Sequence, residues 1–502
     1  MAERPVINRL LGCRLRQLQN QEFHLYGPGK WGLEFSVLPT QSTSSHHHRI
    51  AATFALSAGF LWCFAVLAVA DPCRGASLRA GVAKVDITPP PGQQLFGYAE
   101  RQTPAEGTLD PLYARVLVLE GNGNRLAWVD LDLGRTFGPE SMREIREAAK
   151  QSSGISCLLM QATHTHSGPV IMNTCRGVRP AWEATAIAKI ESAIEDAARH
   201  LVGVRTGTGY GQANIGYNRR WINPDGTVSM LWRNLSHVPT FPVDPTVAVL
   251  RIDMSDGEPM AILINYACHP VVLDENLQYS ADFPGVMARM VEEGFGGKPL
   301  CFFIQGAPGD INPLARAVGG NDGPQQLEIA GRGLGDQAIQ IARSIRTQTE
   351  TNGTLDIAED LLSFQLRWNP EKFRKSLLAG VGPAAFDTYA PKIGPALQLP
   401  VVTILINKRI ALMTMPGEPF VTFQTNWRDR CPAPDAFFLG YTNGYFGYFP
   451  TILAAAQGGY GASDVSTWVE VGAGERMVDH ALTRIYEMLG RLLDTPVEPI
   501  SK

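Results

Sequence analysis

Four loops of this chain place side chains that can bind a metal or move a proton. The first reads Thr163-His164-Thr165-His166-Ser167-Gly168-Pro169, after the apolar run Leu158-Leu159-Met160. Side chains two apart on a strand share a face, roughly 7 Å from each other, so one imidazole can hold a cation while the other turns to a substrate. Both can equally be ordinary hydrogen-bonding residues that finish a strand. The other loops are Ala267-Cys268-His269-Pro270, Met415-Pro416-Gly417-Glu418-Pro419-Phe420, and TNGYFGYFPT from 442 to 451, which carries Tyr445 and Tyr448. Two imidazoles, a carboxylate and water make a catalytic zinc set, because a borderline-soft cation accepts nitrogen and oxygen and chemistry needs an open position. Singly, each loop is weak. His269 can cap a turn, Glu418 can pair with an arginine, glycine-flanked tyrosines often only pack, and Cys268 reads as a small buried hydrophobe.

The loops need elements to carry them. From Leu78 the pattern is that of a folded domain: LRAGVAKVDIT (78–88), YARVLVLEG (113–121) and LAWVDLDLG (126–134) read as strands. Residues 139–150 read as a helix. TVAVLRIDM (246–254) and PMAILINYACHP (259–270) are paired strands joined at the turn SDGE. A helix is expected at 283–295, a buried strand entering a Gly/Pro loop in LCFFIQGAPGDINP (300–313), and a long amphipathic helix at 325–346. The region 350–397 carries no clear pattern. Two strands with a turn at Asn407 follow in VVTILINKRIALMTMPGEPF (401–420), and the apolar stripe of 474–493 predicts a helix packed on the core. The expected fold is therefore mixed α/β, with largely antiparallel sheets surrounded by helices in one large catalytic domain. Nearly every polar motif sits where a strand becomes a loop, the usual place for a sheet enzyme's site.

With 44 basic and 48 acidic residues the net charge is −4, and no long basic run occurs, which argues against nucleic acid as partner. The 50 glycines and 35 prolines follow no period, which suits a loop-rich enzyme rather than a repeat protein. The uncharged run 50–70 follows HHHR and ends Ala-Val-Ala, as an export signal cleaved after Ala70 would; an uncleaved N-terminal anchor is the alternative. Residues 1–49 then form a disordered tail or derive from an upstream start, and 71–502 form the catalytic domain, periplasmic or secreted. Eight cysteines show no C-x-x-C spacing, so no disulfide pairing can be deduced.

The order of the motifs resembles the neutral/alkaline, non-lysosomal ceramidases, zinc amidases that cut the N-acyl bond of ceramide. The resemblance runs through GVAKVDITPP, GYA (97–99), VDLDLG, THTHSGP, NRR (218–220), ACHP, GAPGDINP, MPGEPF, NGYFGYFPT and YGAS (460–463), over roughly residues 78–495. It implies zinc ligands at His164, His269, Glu418 and Tyr448. His166 would face the substrate beside the metal, Arg219 would be the site arginine, and Tyr445 and Tyr460 would lie near the substrate groove. A small-molecule or lipid amide substrate and association with a membrane surface follow. Hydrolysis by zinc-activated water is consistent with this set, with His166, Arg219 or Tyr460 binding the oxyanion and a histidine passing a proton to the leaving amine.

Two departures matter. Where the family carries Gly-Asp-Val-Ser-Pro, this chain has Gly309-Asp310-Ile311-Asn312-Pro313, and a carboxamide at Asn312 forms no acyl-enzyme, although it can orient water or an oxyanion. The chain also ends at Lys502, where ceramidases add a C-terminal β-sandwich. Competing readings are a metal-dependent esterase or phosphoesterase, from the acid-bearing loops, and an inactive binding protein, from Asn312. Asp86, Asp132, Asp282 and Asp310 are candidates to orient a liganding imidazole, or else they cap turns. Asn234 opens a weak N-glycosylation pattern.

Overall fold

The computed structural model describes residues 77–493 except 99, 172–178, 319–321, 350–352 and 390–393, with backbone alone for 380–389. The expected tail (1–49) and export segment (50–70) lie outside the described residues. All the described residues belong to the compact unit Ala70–Lys502, and no helix among them is long and apolar enough to cross a membrane.

Two sheets carry the architecture. The larger has eight strands in the order Leu300–Gln305, Pro259–Tyr266, Thr246–Met254, Val202–Gln212, Arg79–Asp86, Tyr113–Gly121, Asn124–Leu131 and Cys157–Ala162. Only two residue pairs, Arg79↔Gly203 and Ala80↔Val202, join its fourth and fifth strands, so it behaves as two four-stranded halves. The smaller sheet runs Leu355–Gln365, Ala396–Ile406, Ile410–Thr414, Asp435–Leu439.

Strand alternation decides what each face touches. Along Tyr113–Gly121, Val116 and Val118 face the helices Pro139–Ser153 and Ala181–Arg199, whereas Leu117 and Leu119 face the smaller sheet. The other half packs Val249, Ile262 and Phe303 against Asp282–Gly294 and Gly323–Ser344. Between the sheets lie Trp128, Leu159, Leu263, Phe302, Ile404, Leu412 and Phe437; each such buried side chain contributes about 1.5–3 kcal/mol. The smaller sheet's outer face is covered by Val421–Arg430 and Ala473–Met488. The layers therefore run helices, large sheet, small sheet, helices.

Antiparallel ladders outnumber parallel ones, as expected. Three parallel pairs of these two sheets nevertheless form where the site is built: Asn124–Leu131 with Cys157–Ala162, Pro259–Tyr266 with Leu300–Gln305, and Ile410–Thr414 with Asp435–Leu439. Parallel neighbours release their chains at the same end, so the loops that follow gather at the carboxyl ends of these strands.

Several elements are not anticipated from pattern. The strand Val202–Gln212 reads VGVRTGTGYGQ, which looks like a loop because glycine weakens strands. A Cβ at Gly207, Gly209 or Gly211 would come within 2.6–2.8 Å of Ile341 or Ile345, so these positions are bare to let the helix Gly323–Ser344 lie close. The helix Ala181–Arg199 and, inside the patternless region, the strand Leu355–Gln365 and helix Pro370–Tyr389 complete the fold.

Candidate active site

The buried strand Cys157–Ala162 passes into His164, whose φ of 70° is uncommon for histidine and must be held by its surroundings. Its N–H bonds Leu133 O at 2.9 Å, its Nδ1 lies 2.6 Å from Gly134 O, and its ring stacks on Tyr441 with centroids 4.0 Å apart. His269 is fixed in the same way: its N–H bonds Ile311 O at 3.0 Å, and its Nδ1 lies 2.6 Å from Pro308 O and 3.0 Å from Ile311 O. A ring nitrogen facing a carbonyl must donate. Both imidazoles therefore carry a proton on Nδ1, and in the neutral ring Nε2 is then a lone pair.

Those lone pairs converge on Glu418. Its Oε2 is 3.1 Å from His269 Nε2 and 3.4 Å from His164 Nε2, and His166 Nε2 is 3.3 Å from His164 Nε2. The three imidazoles offer ligand atoms within 4.8 Å of one another. Two lone pairs and a carboxylate oxygen repel unless a cation or proton lies between them. Ligands at zinc's tetrahedral positions stand about 3.3–3.4 Å apart, which matches this spacing, so the donor set fits a cation of that size.

The charges agree. Burial pushes the Glu418 carboxyl up, but positive charge at His164 and His269, which a shared proton or a cation between them would equally supply, outweighs burial and holds the group well below the usual carboxylate range. Burial draws His166 well below an ordinary imidazole, and burial with the Arg219 charge lowers His269 to about 4. Neutral imidazoles are the form that binds a metal.

A second cluster adjoins the first. Arg219 Nη2 donates to Gly309 O at 2.7 Å and to the Tyr448 hydroxyl at 3.0 Å, and Nη1 lies 3.4 Å from Asn312 Oδ1. The rings of Trp232, Tyr448 and Tyr460 lie 5.5, 5.6 and 5.3 Å from its guanidinium carbon. Burial opposes the arginine's charge, but Tyr448, Tyr460 and Glu418 outweigh it and keep the group protonated. Trp232 and Tyr460 are 47% and 39% exposed, so this cluster forms the mouth. Asn312 is buried, with Nδ2 3.4 Å from Trp232 O, and serves to hold Arg219.

All nine residues singled out in the sequence thus fall into two adjoining clusters. The two tyrosines divide between them. The Tyr445 hydroxyl donates to Glu418 Oε1, and Tyr441 donates to Oε2 at 3.1 Å, whereas Tyr448 is turned to Arg219.

The four acids do not orient imidazoles; main-chain carbonyls do. Asp310 accepts from Val421 N at 2.8 Å and Asn218 Nδ2 at 2.7 Å, Asp132 pairs with Arg115 at 2.8 Å, Asp282 accepts from the amides of Val272, Leu273 and Phe283, and Asp86 accepts from Thr88 N. Asn234 is buried, and its amide closes a turn through two bonds to Val238.

Sequence reasoning missed the cradle of His166. Arg101 donates to the carbonyls of Phe96, His166 and Asn276, and the rings of Phe96 and Tyr98 stand edge-on to the imidazole at 5.6 and 5.2 Å. Gly97, with φ of 111°, lies so close that a Cβ there would be 2.3 Å from His166 Nδ1. No spacing rule points to these residues; the GYA motif is the one trace of them.

Residues 78–325 match the family described as neutral/alkaline non-lysosomal ceramidase, N-terminal. That span holds His164, His166, Arg219, His269 and Asn312; Glu418 and the three tyrosines lie beyond it. The structure is similar to that of neutral ceramidase from Pseudomonas aeruginosa, with 20% identity and a TM-score of 0.65 over 85% of this chain and 76% of that one. It is also similar to a ceramidase complexed with C2, with 19% identity and a TM-score of 0.64 over 84% of this chain and 77% of the other. At such identities the likeness carries the fold alone.

Proposed function

We propose, from the match of residues 78–325 to the neutral/alkaline non-lysosomal ceramidase family, that this chain is a zinc-dependent hydrolase of an N-acyl amide bond, with ceramide or a related lipid amide as substrate. The observation that carries the reading is the convergence of two imidazoles, each held through Nδ1 by main-chain carbonyls, on one buried carboxylate at 3.1 and 3.4 Å. His164, His269 and Glu418 would hold the metal. Zinc bound there supplies Lewis acidity, polarising an amide carbonyl and acidifying water.

The chain's own residues do the rest. His166, neutral and with Nε2 turned toward the cluster, takes a proton from the attacking water and delivers it to the leaving amine. The Tyr448 hydroxyl accepts from Arg219 and donates toward Tyr460; rotated to the cluster, its proton would bond the amide oxygen as charge develops there. Trp232 and Tyr460 present ring surface at the mouth, where an apolar acyl chain can lie. Asn312, with both ends engaged, attacks nothing. Metal analysis of the purified full chain, together with a panel of N-acyl amides and esters, tests the proposal. One zinc per chain is expected, with amide hydrolysis that chelation abolishes and zinc restores. Undiminished hydrolysis by metal-free protein, or inertness of the zinc-loaded chain toward every amide, would reject it.

A further inference from the structure

Gln161 and Gln305 are buried near the ends of the strands Cys157–Ala162 and Leu300–Gln305, where apolar residues are expected. Gln305 Nε2 donates at once to Thr163 O at 2.9 Å and to Cys268 O at 3.0 Å. These are the carbonyls immediately before His164 and His269. The two N–H bonds of a carboxamide diverge by about 120°, so its acceptors are held about 5 Å apart. The main-chain carbonyl of Gln305 is itself gripped, by Gln161 Nε2 at 2.8 Å and by Gly440 N at 3.0 Å. Gln161 Nε2 also reaches Gly440 O at 3.1 Å, just before Tyr441, which stacks on His164 and bonds Glu418.

No ladder joins the three strands involved. Cys157–Ala162 pairs with Asn124–Leu131, Leu300–Gln305 with Pro259–Tyr266, and Asp435–Leu439 with Ile410–Thr414. Isolated main-chain bonds link their ends, Ala162 N to Tyr441 O at 3.3 Å, Asn443 N to Met160 O at 2.8 Å and Gly440 N to Gln305 O at 3.0 Å, with His166 N to Pro270 O at 3.2 Å between the histidine loops. The side-chain amides of Gln161 and Gln305 add the ties nearest the two imidazoles. We propose that Gln305 is a positioning residue that sets the separation of the His164 and His269 loops, with Gln161 fixing Gln305 in turn. The inference rests on the reading that these histidines hold a metal.

The test is the affinity of the metal-stripped full chain for cobalt(II), with the visible cobalt spectrum as a report of ligand geometry. Gln305→Met keeps the side chain's length and removes both donors. It should weaken cobalt binding 10–100-fold, the usual cost of losing a partner that orients ligands, and shift the spectrum. Gln305→Glu replaces donors by acceptors facing two carbonyls and should weaken it more. Asn265→Leu is the comparator: Asn265 Nδ2 bridges Ile304 O and Phe438 O, each at 2.9 Å, and donates to neither histidine loop. That variant should melt earlier yet bind cobalt like the unmodified chain. Unchanged cobalt affinity in Gln305→Met, or an equal loss in Asn265→Leu, overturns the assignment. Should both Gln305 variants fail to fold, Gln161→Met takes their place, with a several-fold loss supporting the proposal and no loss overturning it. An unmodified chain that takes up no cobalt rejects the metal reading itself, and the positioning role with it.

Discussion

At the histidine end of the site, main chain holds the side chains. His164 and His269 are oriented by the carbonyls of Gly134, Pro308 and Ile311, and both are buried. At the arginine end, side chains largely hold one another. Arg219, Tyr448 and Asn312 form a hydrogen-bonded set roofed by the half-exposed rings of Trp232 and Tyr460. A carbonyl offers the same acceptor whatever residue it belongs to, so the first arrangement tolerates sequence change around it while its ligands cannot vary. The second depends on the identity of each partner, and its members can be retuned together. The departure from the family's pattern, Asn312, falls in this second group.

The difference predicts where substitution removes the metal and where it only slows turnover. Glu418→Gln keeps the shape of the side chain but puts a neutral amide against two lone pairs. Metal content should fall to background and turnover of an N-acyl amide by roughly 10⁴-fold or more, since activation of the nucleophile goes with the ion. Atomic absorption on the folded variant checks this. Stoichiometric zinc there would mean that the carboxylate is not a ligand.

Tyr448→Phe sharpens the boundary between the two ends. Resemblance to the family places Tyr448 among the ligands, whereas in this chain its hydroxyl is 3.0 Å from Arg219 Nη2 and it is Tyr445 that reaches Glu418. The variant should keep its zinc and lose about 10²-fold in turnover, the scale of one lost oxyanion donor. Loss of the metal would return Tyr448 to the ligand set and move the boundary.

Much of the site was legible from residue types at strand ends. His164, His166, His269 and Glu418 each follow an apolar run that reads as a buried strand, whereas their meeting on one rim comes from parallel pairs that the pattern does not record. What was not legible depends on chain paths that periodicity does not record. Tyr445 and Tyr448 could not be separated because Asn443, Gly444 and Gly447 adopt φ of 56°, 155° and 74°, which breaks any strand or helix alternation through the loop. Gln161 and Gln305 look like incidental polar residues until three strands from distant parts of the chain are seen to end together. The Gly-rich strand Val202–Gln212 was hidden for a related reason: its glycines answer to a helix more than a hundred residues away.

The smallest effect is expected at Asn312. If the arginine end is a mutually supporting set, removing one weak member should loosen Arg219 without releasing it. Its Nη2 keeps Gly309 O at 2.7 Å and Tyr448 at 3.0 Å, while the lost contact to Asn312 Oδ1 is the long one at 3.4 Å. A hydrogen bond of that kind contributes about 0.5–1.5 kcal/mol, so Asn312→Ala should lower turnover only about 2- to 12-fold. Metal content should stay at the unmodified level, because no imidazole ligand hydrogen-bonds to the Asn312 side chain. Serine at this position should behave much as alanine does, since its shorter side chain does not reach the guanidinium, and it should trap no acyl-enzyme. A burst of acylated protein from Asn312→Ser would show that a nucleophile can be installed there and that the arginine end takes part in the chemistry directly. A loss as large as that of Tyr448→Phe would show that the set stands or falls as one, and the contrast with the histidine end would fail.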